Sequence, residues 1–394
     1  MKETQLREEI FKMRFTTIYD RFNKGKLTCE AAAEMLGVSI KTFYRKRQRY
    51  DNEDFDGRFD RRLGKESPHR AADREVEMIT RLYNERYKGF SVKHFYEFAQ
   101  REHGLSRSYN WTRMKLTEKG LVEKSTRGGK HRLRRERKAM AGMMIHQDGS
   151  KHRWIPALDC DLDLIVTMDD ATSEILSAFL VEEEGTLSTF QGLQETIERR
   201  GLFCTFYTDR GSHYFYTEKA GGKVSKTQLT QVGRALRQLS IKHIAAYSPE
   251  ARGRSERMFG TLQKRLPKEL VLHNITTTKE ANRYIQDTYL PRHNGQFAVK
   301  PKCEESAFME WKSNRSLKDI LCIQEERMAQ KDNTIRYDGF ILQIPKNKYR
   351  SQYIKAEVEV HKYADGKMSV FYGNFCIGQY DEEGNLIKQE EIAA

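Results

Sequence analysis

Long apolar runs are absent from this sequence of 394 residues. No run approaches the roughly 18 consecutive apolar residues of a membrane-spanning helix, which argues against a transmembrane protein. The opening segment, MKETQLREEI, is charged where a secretory signal peptide would be apolar. We therefore expect a protein that is neither secreted nor inserted into a membrane.

Paired cysteines are absent as well. The six cysteines are scattered and none forms a CxxC pair: Cys29, Cys160, Cys204, Cys303, Cys322 and Cys376. This spacing argues against a zinc ribbon and against a disulfide scaffold. It is typical of a protein in a reducing cytoplasm.

Positive charge, by contrast, is in excess. Lysine and arginine total 70 against 56 acidic residues, which gives a net charge of +14. Such a balance favours a polyanionic partner over an acidic small molecule, and nucleic acid is the first candidate. The chain also has 19 Tyr and 20 Phe as core material, so wholesale disorder is not expected. At about 100 to 200 residues per domain, the length predicts two to four domains.

Helical periodicity dominates the first third of the chain. Apolar residues recur at helical spacing as far as about residue 121, and we predict two all-α modules, residues 1–60 and 61–124. A basic stretch then follows the Gly128-Gly129 pair. We interpret residues 125–142 as a linker.

The rest of the chain is predicted to form two further regions. In residues 143–330, short runs rich in Ile, Val and Phe alternate with helical stretches, which predicts an α/β domain with following helices. Residues 331–394 indicate short strands joined by turns at Asp365-Gly366 and Gly373-Asn374. We expect a small β-barrel of SH3-like size at this end.

The first module carries a helix-turn-helix pattern in TCEAAAEMLGVSIKTFYRKRQRY. Ala32, Met35 and Leu36 predict one apolar helical face. Gly37 permits a tight turn, and Ser39 can cap the next helix.

The second helix of this pattern is predicted to be anchored by Ile40 and Phe43 and to present a basic face to DNA. The residues of that face are Lys41, Thr42, Arg45, Lys46 and Arg49. An inserted helix meets base edges and phosphates with such a face. The alternative is a solvated basic face on an ordinary helical hairpin.

A weaker copy of the pattern occurs in the second module. Its apolar stripe consists of Val92, Phe95, Phe98 and Ala99. Gly104 and Leu105 predict the turn, and Ser106 is the expected cap of the following helix. The basic residues expected to contact DNA on that helix are Arg107, Arg113 and Lys115. Simple packing is the alternative.

The linker is a third candidate for DNA contact. Its basic residues are Lys130, Arg132, Arg134, Arg135, Arg137 and Lys138. Such a run is usually a solvated charge segment, but between two predicted DNA-binding units we favour phosphate contact.

Three acidic residues stand at informative places in the α/β domain. Asp148 lies in the first strand, Asp209 follows the apolar strand in LFCTFYTDRG, and Glu256 lies on a helix predicted in SPEARGRSERMFGTLQKRL. Carboxylates at the ends of neighbouring strands and on a helix packed across them can converge, although 61 and 47 residues separate them along the chain.

Clustered carboxylates of this kind favour a metal site. They repel one another unless divalent cations lie between them, and their hard oxygen atoms favour Mg²⁺ or Mn²⁺ over Zn²⁺. Two such ions can activate a water or a 3′-hydroxyl for phosphoryl transfer. On spacing alone the signal is weak, because most of the 56 acidic residues are expected at the solvated surface.

The segments around these acids carry a stronger signal. IHQDGS, FYTDRGSHY, YSPEARGRSERMFGTLQ and YLPRHNGQFAVKP resemble, in order, the landmarks of retroviral-integrase-like transposases. The sequence looks most like bacterial insertion-sequence transposases of the ISNCY type, from the helix-turn-helix to the terminal barrel. The resemblance implies an RNase H-like integrase core whose catalytic and metal-binding Asp-Asp-Glu (DDE) triad is Asp148, Asp209 and Glu256, with two Mg²⁺ or Mn²⁺ ions.

The resemblance also implies a function. It predicts a DNA transposase that binds the terminal inverted repeats of its element and target DNA, assembles as a homo-oligomer on DNA, and acts at the bacterial nucleoid. One departure is visible, since the interval from Asp209 to Glu256 is longer than usual in the superfamily. Residues 217–229 are interpreted as an inserted hydrophilic loop.

Other polar residues near the triad have weaker claims. Arg252, Arg254 and Arg257 flank Glu256 and are expected to contact phosphate, with an exposed salt-bridged face as the alternative. Asp169 and Asp170 are expected to make turn hydrogen bonds rather than to bind metal.

Two rival functions remain open from the sequence. One is a helix-turn-helix regulator descended from a transposase, whose acids no longer bind metal. The other is an RNase H-like nuclease acting on RNA–DNA hybrids. The helix-turn-helix patterns favour duplex DNA over a hybrid.

Overall fold

The computed structural model describes residues 3–53, 71–123, 136–218, 223–225, 227–247, 253–313 and 315–387. Five predicted DNA contacts, Lys130, Arg132, Arg134, Arg135 and Arg252, lie outside these residues. The chain divides into two compact units, residues 1–79 and 80–394. In the part of the chain that is described, no helix is both long and apolar enough to cross a membrane.

The first unit contains a helical module with an aromatic core. Its helices are α1 (Glu3–Asn23), α2 (Cys29–Met35) and α3 (Ile40–Glu53), and helix α4 (Asp73–Glu85) follows later in the chain. Phe15 and Phe43 are fully buried, with ring centroids 6.0 Å apart. Such aromatic contacts bury large apolar areas in a small module.

The turn between α2 and α3 agrees with the sequence prediction, but two apolar positions do not. Gly37 has a left-handed φ of +67°, and the Ser39 hydroxyl accepts from the Thr42 amide at 3.2 Å. Met35 and Ile40, predicted to face the core, are 47% and 43% exposed. The aromatic side chains of α1 and α3 fill the core, and these two residues are left at the surface.

The second module contributes helices α5 (Val92–His103) and α6 (Tyr109–Glu118). Gly104, with φ of +64°, ends α5 as predicted. The predicted cap of α6 is wrong: the Trp111 amide donates to the Ser108 hydroxyl at 3.3 Å, so Ser108 replaces Ser106. A capping side chain must stand directly before the first helical turn, and α6 begins two residues later than predicted.

The central sheet has the strand order and directions of an RNase H-like fold. The strands are β1 (Ile145–His152), β2 (Leu162–Asp169), β3 (Ile175–Val181), β4 (Thr205–Thr208) and β5 (Lys242–Ala245). Their order is β3-β2-β1-β4-β5. The pairs β1–β2 and β2–β3 are antiparallel, whereas β1–β4 and β4–β5 are parallel. The predicted integrase-like α/β core is confirmed.

Helices cover both faces of this sheet. Helices α7 (Thr186–Arg200) and α8 (Gln231–Gln238) pack with Ile145 and Phe206 on one face. Helix α9 (Gly253–Leu272) packs on the other, where Phe259 lies in one cluster with Val166. Helix α10 (Thr278–Tyr284), a π-helical turn (Ile285–Tyr289) and helix α11 (Leu290–Phe297) follow. The Asn294 side chain bonds the backbone N–H and C=O of Ile175, so it satisfies backbone groups at the start of the edge strand β3.

The C-terminal region is rich in strands but does not close into a barrel. Strands β6 (Ile323–Met328), β9 (Glu357–Lys362), β10 (Met368–Tyr372) and β11 (Phe375–Tyr380) form an antiparallel sheet in the order β11-β10-β9-β6. Strands β7 (Thr334–Tyr337) and β8 (Phe340–Gln343) pair only with each other among the described residues. The expected closed SH3-like barrel is therefore not found in this part of the chain. Strand β6 also lies before residue 331, where we had expected the region to begin.

Candidate active site

Strand β1, which contains Asp148, and strand β4, which ends one residue before Asp209, are neighbouring parallel strands. They pair so that Ile145 lies opposite Phe206 and His146 opposite Tyr207. This register is an offset of 61 residues, which is also the offset from Asp148 to Asp209. Continued beyond Tyr207 at the usual strand spacing of about 4.8 Å, the register would bring Asp148 opposite Asp209.

Asp148 faces the side of the sheet that α9 covers. Side chains alternate along a strand, so Asp148 and Ser150 share one face. The Ser150 hydroxyl accepts from Gln263 of α9 at 3.1 Å. Gln147, on the opposite face, bonds the Thr189 carbonyl of α7. Asp148 itself is only 9% exposed.

Asp209 is held by a tight turn. The Gly211 amide donates to Asp209 Oδ1 at 2.9 Å. A side chain at Gly211 would come within 3.2 Å of Asp209 Oδ1 and 3.0 Å of the His213 ring. Glycine therefore allows the loop to fold closely around this carboxylate.

Glu256 stands in the first turn of α9 and is exposed. Its neighbours Ser255, Met258 and Phe259 are buried, so the helix packs through the residues on either side of it. All three acids are described. No three His, Cys, Asp or Glu side chains in the described ranges are arranged to hold a metal ion. The three acids of the predicted triad, all of them described, therefore do not form a ready metal-binding group.

The carboxylate of Glu184, which was missed from the sequence, contacts the loop that follows Asp209. Its Oε1 accepts from the Tyr214 hydroxyl at 3.2 Å and lies 3.6 Å from His213 Nε2. It lies so close to Gly149, the neighbour of Asp148, that a side chain at that position would collide with it. Burial raises the pKa of Tyr214 well above its usual value, so this phenol remains a neutral donor. Glu184 follows β3, whereas His213 and Tyr214 follow β4, so these residues meet only because the strands are assembled into one sheet.

Asp169 behaves as a turn residue, as predicted. Its carboxylate accepts from the Gly142 amide at 2.9 Å and from the Thr172 amide and hydroxyl at 2.8 Å. Asp170 is fully buried and bonds His146 Nε2 at 2.7 Å. Both acids are engaged in protein contacts at the end of β2.

Two arginines predicted to contact DNA are engaged inside the protein. Arg254 forms an ion pair with Asp170, and its side chain is 15% exposed. Arg137 donates to the carbonyls of Asp170 and Ala171 at 3.2 Å and to the Ser173 hydroxyl at 2.7 Å. Sequence spacing could not show this, because the partners lie far along the chain.

Other predicted basic contacts near the core remain at the surface. Arg257 is exposed and lines a cleft of about 440 Å³ together with Lys264 and Arg265. The backbone amide of Lys138 donates to Asp170 Oδ2 at 2.7 Å.

On α3, most of the predicted basic face lies at the surface. Lys41, Arg45 and Arg49 are exposed. Lys46 Nζ lies 4.4 Å from the Phe11 ring centroid, and the Thr42 hydroxyl is 2.9 Å from that of Ser39. The same helix exposes two apolar side chains, Ile40 and Tyr44, which the sequence reading had not assigned to this face.

The three basic residues predicted for α6 differ in their surroundings, and Arg107 lies before the helix begins. Arg113 is exposed. Lys115 forms an ion pair with Glu118 at 2.8 Å. The Arg107 guanidinium lies 5.6 Å from the Trp111 ring centroid.

Two curated proteins are similar to most of this chain. A putative transposase, y4bF of Sinorhizobium fredii, is 29% identical over 350 residues, which cover 88% of this chain and 75% of the relative. The transposase for insertion sequence IS1202 of Streptococcus pneumoniae is 28% identical over 351 residues, which cover 80% and 74% respectively. Both relatives are transposases, and their similarity over most of this chain supports the activity of a transposase, an enzyme of the polynucleotidyl transferase class. No family model matches the sequence of this transposase.

Solved integrases are more distant from the transposase. The catalytic core of HTLV-2 integrase, in complex with magnesium, matches with a TM-score of 0.29 and 16% identity, over 38% of this chain and 88% of that one. A chain of the simian T-cell lymphotropic virus intasome matches with a TM-score of 0.34 and 15% identity, over 74% and 91%. At these TM-scores, neither similarity defines how this transposase works.

Proposed function

We propose that this DDE transposase binds the terminal inverted repeats of its own insertion sequence and catalyses metal-dependent strand cleavage and strand transfer with Asp148, Asp209 and Glu256. The observation that supports the proposal is the parallel pairing of β1 with β4, whose register, continued beyond Tyr207, would bring Asp148 opposite Asp209 on the face covered by α9. The same helix begins with the turn that holds Glu256.

The donor set suits Mg²⁺ or Mn²⁺, because all three residues offer hard carboxylate oxygens. Two such ions, held by the triad, would supply the Lewis acidity that activates the attacking hydroxyl and stabilises the leaving oxygen. Glu256 is exposed at the start of its helix, where a change of rotamer meets little packing resistance. We expect its carboxylate to join the aspartates when metal is bound, because cations offset the repulsion between carboxylates.

In this proposal, separate groups of residues recognise the DNA sequence and bind the phosphates. The exposed face of α3 reads the terminal repeat, with Lys41, Arg45 and Arg49 as the polar contacts. Ile40 and Tyr44 add apolar surface suited to thymine methyl groups. The basic linker and Arg257 neutralise phosphates. Joining two element ends needs two active sites held together, so we expect a homo-oligomer on DNA, with the C-terminal sheet bound to DNA or to a second protomer.

The decisive experiment replaces each acid by its amide. Asp148→Asn, Asp209→Asn and Glu256→Gln keep the side-chain shape but remove the anionic ligand, so each is expected to abolish cleavage and strand transfer while end binding persists. Asp159→Asn is the matched control, since Asp159 is a solvent-exposed acid paired with Arg153. Gel shift and strand-transfer assays on the same preparations decide the outcome. Near-normal transfer by one triad variant removes that residue from the triad.

A further inference from the structure

A fully buried carboxylate, Asp170, joins segments that are distant in the sequence. Its Oδ1 accepts from His146 Nε2 of β1 at 2.7 Å and pairs with Arg254 of α9. Its Oδ2 accepts from the Lys138 amide at 2.7 Å. The His146 ring in turn contacts the Tyr207 ring of β4, with centroids 4.9 Å apart. We call Asp170, His146, Tyr207 and Arg254 the Asp170 anchor.

Each of the other three members of the anchor stands two residues before an acid of the triad. His146 precedes Asp148, Tyr207 precedes Asp209, and Arg254 precedes Glu256. On a strand, two residues span about 6.6 Å and return to the same face. In a helix they span about 3 Å. A shift of an anchor residue is therefore transmitted to the nearby triad carboxylate through only two residues of chain.

We infer that Asp170 is a positioning residue, which sets the relative placement of β1, β4 and the start of α9 and thereby the spacing of the three triad carboxylates. This inference rests on the proposed function of Asp148, Asp209 and Glu256. Asp170 is not offered as a metal ligand, because both of its oxygens already accept hydrogen bonds within the protein.

The buried charge of Asp170 explains why the residues of the anchor stay together. Asp170 has no exposed surface, and His146 is 3% exposed. A buried carboxylate that loses its cationic partner is strongly unfavourable, so Arg254 and the start of α9 stay with the end of β2. Groups that orient ligating side chains typically change metal affinity by about 10- to 100-fold when they are removed.

The test measures Mn²⁺ binding to the full-length protein by electron paramagnetic resonance, which does not depend on turnover. Asp170→Asn is expected to raise the Kd for Mn²⁺ by about 10- to 100-fold, because the amide cannot pair with Arg254 as a carboxylate does. Asp169→Asn is the matched control. Asp169 is also buried, at 1% exposure, and within the described part of the chain its carboxylate accepts from the turn after β2 and from the Gly142 amide. Its variant should lose stability yet bind Mn²⁺ within about twofold of the parent.

A second pair of variants covers the case in which Asp170→Asn does not fold. His146→Gln keeps an N–H donor for Asp170, whereas His146→Leu does not. His146→Gln is expected to bind Mn²⁺ at least about fivefold more tightly than His146→Leu. Equal Kd values for these two variants, or an unchanged Kd in a folded Asp170→Asn protein, overturn the inference.

Asp148→Asn separates this failure from failure of the proposed function. If Asp148→Asn weakens Mn²⁺ binding but the anchor variants do not, the anchor role is wrong and the triad stands. If Asp148→Asn also binds Mn²⁺ normally, the proposed metal site falls, and the anchor role falls with it.

Discussion

The two helical modules share a sequence pattern of turn glycine, capping serine and basic helix, yet their cores are completed differently. In the first module, Phe15, Tyr19 and Phe43 pack among helices α1 to α3. In the second, His94 of α5 is 1% exposed and its Nε2 bonds Glu269 of α9 at 2.9 Å. The second module therefore takes part of its interior from a helix of the catalytic region.

Several contacts extend this junction between α5 and α9. The Phe90 ring stacks on His94 at a centroid distance of 4.5 Å. Arg265 pairs with Glu97 at 2.7 Å, and Lys268 donates to the Gly89 carbonyl. Since helix α9 also carries Glu256 in its first turn, these contacts join the second module to the helix that bears the third residue of the predicted triad. The shared motif therefore does not mean that both modules fold independently or play the same role.

The ionisation of the His94–Glu269 pair follows from burial and hydrogen bonding. Burial lowers the pKa of His94, so its imidazole is neutral and donates to Glu269. Burial opposes the ionisation of Glu269, but hydrogen bonds from His94 and Tyr284 outweigh it and hold the pKa of Glu269 below its usual value. At the junction, the neutral imidazole of His94 therefore donates a hydrogen bond to the buried carboxylate of Glu269.

The strongest test of the comparison is whether each module folds alone. A fragment of residues 3–53 keeps its aromatic core and should unfold cooperatively on heating. A fragment of residues 71–123 loses Glu269 and the rest of α9, so it should show no cooperative transition. Circular dichroism with thermal melting measures both. Cooperative unfolding of the second fragment would contradict the comparison.

A single substitution in the junction should destabilise the full chain, with a smaller effect than removal of α9. Glu269→Leu leaves the His94 N–H and the Tyr284 O–H without their acceptor, and each unsatisfied buried group costs about 1–3 kcal/mol of the free energy of unfolding. Urea unfolding of the full chain measures the loss. Glu118→Gln is the control, because its surface ion pair with Lys115 is worth less than about 1 kcal/mol. Equal stability of the two variants would show that the junction carries little energy.

The two modules should also differ in how their stability depends on acidification. Burial lowers the pKa of His243 to about 3 and of His293 to about 4, and the pKa values of His94 and His361 also lie below the usual value of 6.5. These histidines take up protons more readily when unfolded. The stability that they contribute is present above about pH 6.5 and is lost as the pH falls, by up to about 1.4 kcal/mol per pH unit for each.

Residues 3–53 contain no histidine, so the first module should lack this dependence between pH 6.5 and 5. Urea unfolding at several pH values, on the full chain and on the fragment of residues 3–53, measures the two slopes. The same slope in both proteins would rule out the buried histidines as its cause.

The smallest expected effect concerns DNA reading by the first module. Arg45→Ala should reduce the preference for the terminal repeat over random DNA by about 1–3 kcal/mol, if Arg45 makes a bidentate base contact. Arg47→Ala is the matched control on the same helix, because Arg47 faces Asp51 and the Phe22 ring. Binding to both DNAs across a salt titration separates base reading from phosphate contact. An equal loss in the two variants would move recognition away from this face.

Much of the local structure could be predicted from sequence periodicity. Helix α9 begins at Gly253, within the segment that was predicted to be helical. The turn residues Gly37 and Gly104 adopt positive φ as expected. Predictions failed where tertiary packing chose between similar local options, as at Ile40, at the Ser106 cap and in the open C-terminal sheet.

The sequence by itself determined which residues form helices, strands and turns, and it singled out Asp148, Asp209 and Glu256, because periodicity, capping and motif are local properties. Only the tertiary structure decided the pairing of β1 with β4, the burial of Asp170 against Arg254, and the junction of His94 with Glu269. Those last two pairs are separated by 84 and 175 residues. Such contacts depend on how sheets and helices pack in three dimensions, and no short-range pattern encodes them.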